Sequence, residues 1–126
     1  MKSEVRDMYY KRHEYFRYEF NEPLEANFKM LLAEGAFESN PGLCRLVDIS
    51  PGGCKMLTNY EFPDVRGAVH LRLTCTLFKE PLTIDGQIVW KKKDKEGYQY
   101  GMDFIENPLM EKLIVDELKL RRQSEK

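Results

Sequence analysis

Apolar and polar residues alternate along much of the chain. Leu24, Ala26, Phe28 and Met30 alternate with Glu25, Asn27 and Lys29, which predicts a half-buried strand, with Asn21 to Pro23 as the turn before it. Glu34 to Gly42, with two Gly, Pro41, Ser39 and Asn40, predicts a loop. An apolar run from Leu43 to Ile49 and an alternating run from Cys54 to Thr58 predict the next two strands. Val69, Leu71, Leu73, Cys75 and Leu77 alternate with His70, Arg72, Thr74 and Thr76, the cleanest strand pattern in the chain. Thr83 to Lys92 predicts a strand with Ile84, Ile88 and Trp90 on one face and a bulge or bend at Gly86. After a charged hairpin tip from Lys91 to Gly97, Tyr98, Tyr100, Met102 and Phe104 form the last strand.

The period then changes. Asn107-Pro108 is a helix start, a capping side chain followed by proline at the first helical position. Leu109, Met110, Leu113, Ile114, Glu117, Leu118 and Arg121 follow at helical spacing. Six short strands and one helix predict an all-β fold with a C-terminal helix, as a small antiparallel barrel or sandwich. Residues 1–10 are an N-terminal arm or short helix, 11–122 a single barrel domain with its helix, and 123–126 a frayed tail.

Composition narrows the function classes. The 126 residues carry 20 Lys plus Arg and 21 Asp plus Glu, a formal net charge of −1. That disfavours a general nucleic-acid binder, so a basic site must be a local patch. No apolar run approaches the length of a membrane span. The three cysteines, Cys44, Cys54 and Cys75, form no CxxC pair, and their spacing matches no common zinc motif. Two sit in strand patterns, so buried thiols and a reducing cytoplasm are expected. His13 and His70 are the only histidines, and no nucleophile set, metal cluster or phosphate loop stands out, so neither an enzyme nor a cofactor is expected.

Two stretches carry candidate chemistry. In the corner Asp48-Ile49-Ser50-Pro51-Gly52-Gly53, Asp48 and Ser50 can each bond a backbone group one or two residues on. Pro51 fixes its own φ, and Gly52 and Gly53 permit positive φ and close approach of a ligand. N–H groups turned one way there form an anion-binding concavity, although the same residues also build an ordinary hairpin corner. The other stretch, Lys11-Arg12-His13-Glu14-Tyr15-Phe16-Arg17, interleaves three permanent positive charges with aromatics. It is either a ligand-binding arm or a solvated leader whose rings cover the edge of the core.

Together these features resemble the PilZ domain family. Asp48, Ser50 and Gly53 fit the family's D/N-x-S-x-x-G motif, and the Lys11–Arg17 arm lies where the family carries R-x-x-x-R. Gly86 to Trp90 and Tyr98 to Ile105 resemble its last two strands, and a terminal helix follows; the likeness covers about residues 11–120. The resemblance implies a six-stranded antiparallel β-barrel that binds cyclic di-GMP through Arg12, His13, Arg17, Asp48, Ser50 and Gly53. It further implies a cytoplasmic receptor without catalysis or cofactor that regulates a protein partner in bacterial motility or surface behaviour.

The chemistry fits such a ligand. Guanidinium forks suit both phosphate oxygens and the O6/N7 edge of guanine, and aromatics and Arg planes stack on the base. There is one departure: four residues before Arg17 stands His13, with Arg12 one place early. A mostly neutral imidazole offers no bidentate fork, and losing one such contact costs about 1.5–3 kcal/mol, about tenfold to a hundredfold in affinity. A PilZ-like adaptor that binds only proteins is therefore the alternative. A small barrel binding nucleic acid through Lys91 to Lys93 is a third. Alternation assigns Trp90 to the core rather than to base stacking.

Overall fold

The structure is a computed structural model that describes residues 17–32, 37–39, 41–63 and 69–125. Along the chain run β1 (Tyr18–Leu32), β2 (Phe37–Glu38), β3 (Gly42–Ser50), β4 (Gly53–Thr58), β5 (His70–Thr76), β6 (Pro81–Asp94), β7 (Gly97–Phe104) and α1 (Pro108–Ser124). Six strands pair antiparallel in the order β1-β3-β4-β7-β6-β5, and β5 pairs back onto β1. The expected barrel is therefore closed, which gives its short strands partners on both sides. β2, inside the stretch expected to be a loop, adds a two-residue pairing at the end of β1.

Alternation places the core inside the barrel. Leu46, Ile49, Met56, Leu71, Leu73, Ile88 and Tyr100 are all fully buried, each aliphatic side chain being worth about 1.5–3 kcal/mol in transfer from water. An aromatic cluster closes one end. The Phe62 ring meets Tyr100 at 4.7 Å and Phe28 at 5.2 Å edge to face, and the Phe62 N–H donates to the Tyr100 hydroxyl at 2.9 Å.

Helix α1 belongs to the same core through Ile114 and Leu118. Its first turn is built as predicted: Asn107 accepts the Met110 N–H at 3.2 Å, and Pro108 opens the helix. The apolar stripe is narrower than predicted, because Leu109 and Leu113 are exposed. Glu117 fastens the helix to the β5–β6 loop, accepting the N–H groups of Phe78, Lys79 and Glu80 at 3.1, 2.7 and 3.0 Å. Burial pushes this carboxyl up, but the three N–H bonds outweigh that and hold it below the usual glutamate range. Arg121 donates to the Leu77 carbonyl at 2.7 Å and lies 4.9 Å from the Phe20 ring centroid. The Tyr18 hydroxyl donates to Glu125, so the helix end clasps the start of β1.

Three irregularities correct the strand predictions. Asn21 to Pro23 are not a turn before the first strand but part of β1, which bulges between Glu19 and Leu24. In β3 the register shifts between Leu46 and Asp48, leaving Val47 as the extra residue. In β6 the shift lies between Ile88 and Trp90, at Val89, and not at Gly86. Gly86 answers a different need: a Cβ there would stand 2.2 Å from the Asp103 carbonyl oxygen.

Candidate functional site

A bulge reverses the alternation of the residues after it. Without the extra Val47, Asp48 would share the inner face with Leu46; with it, Asp48 turns outward beside its partner Lys55. Val89 does the same for Trp90, which pairs with Gly101 on the outer face. The registers Asp48–Lys55, Lys55–Gly101 and Gly101–Trp90 form one row across the outside of β3, β4, β7 and β6. Trp90 is 39% exposed, so the expectation that it belongs to the core is wrong. Its indole covers Gly101, where a Cβ would stand 2.1 Å from Nε1. A larger residue at 101 would force the ring off the row.

The corner lies at the end of this row. Ser50 accepts the Gly52 N–H at 3.3 Å and donates to the Gly53 carbonyl at 3.4 Å, the local bonding its place in the turn predicts. The Gly52 carbonyl accepts the Phe104 N–H at 2.9 Å, which ties the corner to β7. Gly53 is needed for room rather than for a left-handed backbone. A Cβ there would stand 2.4 Å from the Met102 carbonyl oxygen.

Asp48 does not bond the turn's backbone as predicted. Its side chain is 2% exposed, and it accepts Arg17 Nη1 at 2.8 Å, with Lys55 Nζ at 3.8 Å from the other oxygen. One carboxylate thus gathers two cations at the corner, and an ion pair with a buried member holds more firmly than two exposed charges. Of the six residues expected to bind a ligand, the fold brings together Arg17, Asp48, Ser50 and Gly53. Arg12 and His13 lie outside the described residues. Lys55 and Trp90 were not foreseen as site residues. Lys55 could have been found by pairing β3 with β4 across the corner, but nothing marks Val89 as a bulge.

Other features lie away from this row. A cavity of about 500 Å³ is lined by Glu25, Leu43, Arg45, Thr58, Asp94 and Tyr98, at the end of the barrel opposite the corner. The three cysteines are buried and free, as expected. Burial pushes the Cys44 and Cys75 thiols up to about 12, with each other's proximity adding at Cys44, and burial drives Cys54 up as well. Among the described residues no helix is long and apolar enough to cross a membrane.

The described residues thus form a small closed β-barrel with a glycine-bearing corner, a basic residue on the corner's carboxylate and a terminal helix. The family model for the PilZ domain matches residues 11–119, and the chain belongs to that family. No curated protein matches it.

Solved structures share its fold. Escherichia coli YcgR in complex with c-di-GMP matches with a TM-score of 0.58 at 16% identity, over 87% of this chain and 46% of that one. The PilZ domain of the same protein with c-di-GMP gives 0.56 at 18%, over 88% and 95% of the two chains. MrkH of K. pneumonia in its apo state gives 0.55 at 19%, over 88% and 53%. The chain therefore spans about half the length of the YcgR and MrkH chains it matches.

Proposed function

We propose that this domain is a receptor for cyclic di-GMP, held between the corner after β3 and the leader before β1. The observation that carries the proposal is the Arg17–Asp48 contact at 2.8 Å, which sets a guanidinium over the motif-bearing corner. Arg17 offers guanidinium N–H donors of the kind that suit a phosphate or guanine O6 and N7. Asp48 accepts the guanine amino group, and Ser50 and Gly53 offer polar contacts beside it. Trp90, on the same outer row, offers its face to a base. Arg12 and His13 complete the grip from the leader. Ligand binding changes the conformation of the leader and so the surface shown to a protein partner, and the ligand acts through that change.

Trp90 is the only tryptophan, so its fluorescence reports on the site directly. Titration calorimetry with cyclic di-GMP should show saturable heat, with quenching of Trp90 over the same range. Arg17→Ala should weaken binding at least tenfold, and Trp90→Ala should cost about 1–3 kcal/mol. Absence of heat and quenching at tens of micromolar ligand would remove the receptor reading. His13 in the place of an arginine favours one alternative, an adaptor that binds protein without the dinucleotide. For it, protease cleavage of the leader is the same with and without ligand.

A further inference from the structure

Helix α1 uses one apolar face against the barrel, through Ile114 and Leu118, and presents a second. Successive residues on a helix are about 100° apart, which brings Leu109, Leu113 and Leu120 within about 40° of one another. All three are exposed, at 77%, 42% and 41%. Asp116 lies between them on the same side. The seam 109–113–116–120 steps by four, three and four residues, so it reads the same from either end.

A seam of this symmetry is complementary to itself. Two helices laid antiparallel about a two-fold axis midway between positions 113 and 116 set Leu109 against Leu120 of the second copy. Leu113 then meets Asp116 of that copy. Charge obeys the same operation. Lys112 and Asp116 pair within one helix at 3.0 Å, and the two-fold brings each Asp116 beside the other copy's Lys112. The antiparallel arrangement also sets the two helix dipoles in opposition.

We propose that α1 is a homodimer surface on which a second copy of this chain docks antiparallel along Leu109, Leu113 and Leu120. The inference does not depend on the ligand reading. A 17-residue helix is about 25 Å long, so the contact falls at the small end of specific interfaces, with association in the micromolar range.

Sedimentation equilibrium of the full chain from about 5 to about 300 µM tests it. The average mass should rise from one chain toward two. Leu113→Gln and, separately, Leu109→Gln should each weaken association at least tenfold while leaving the circular dichroism spectrum and urea midpoint unchanged. Asp116→Lys should weaken it too, and adding Lys112→Asp should restore it. A single-chain mass at every concentration overturns the proposal. So does a dimer indifferent to both leucine substitutions, or a charge exchange that fails to restore association.

Discussion

Asp48 and Trp90 each owe their outward position to one inserted valine. Strict alternation puts both on the inner face, and alternation is all that the sequence pattern carries; neither Val47 nor Val89 has the composition of a bulge. The corner was legible because its chemistry is local, since Ser50, Gly52 and Gly53 bond one another. The Arg17–Asp48 pair spans 31 positions, and only the resemblance brought the two together in advance. Glu117 hid for a similar reason: helical spacing gives its face, while its three backbone donors come from a distant loop.

Two predictions belong at this scale. In Gly101→Ala the new methyl displaces the Trp90 indole, which is half exposed and can yield, so stability should fall by less than about 1 kcal/mol. The tryptophan emission should nevertheless shift to the red, and binding of the dinucleotide should weaken with it. Glu117→Ala strands three N–H groups and should cost on the order of 3 kcal/mol in urea unfolding at neutral pH. The folded carboxyl titrates below the unfolded one, so its contribution is complete above the unfolded value of about 4.3. That contribution disappears as pH falls through the lower, folded value. The difference between the two proteins in urea should therefore shrink as the pH is lowered below that unfolded value.

At the scale of elements, the strands and the helix followed from period alone, and the errors sit where one element is held by another. The Asn21–Pro23 stretch has turn composition, yet β1 continues through it as a bulge because β3 pairs with it on both sides, at Tyr18 and Glu19 and again from Leu24. Leu109 and Leu113 keep helical spacing but face away from the barrel, because the buried face is set by Ile114, Glu117 and Leu118. Spacing marks every leucine equally, and only packing separates the face the barrel covers from the face it leaves.

Across the whole molecule, closure puts the thiols beyond reach. Cys44, Cys54 and Cys75 come from three different strands and all lie inside the barrel, protonated at any physiological pH. A thiol-disulfide reagent at pH 8 should leave the native protein unmodified on the timescale in which free cysteine reacts completely. All three should react at once in denaturant. In intermediate urea the modification rate should follow global opening, since no thiol is exposed by local fraying alone.

The bond from Tyr18 to Glu125, with Arg121 against Phe20, fastens the first strand to the last turn. The barrel's beginning and its end are therefore neighbours in space, and the order in which its strands are synthesised is not what holds it shut. A circularly permuted gene that joins residue 126 to residue 1 and opens the chain at the Lys95–Glu96 turn should yield the same barrel, with the leader tethered at both ends. Its circular dichroism spectrum and urea midpoint would show whether the topology survives being cut in a new place.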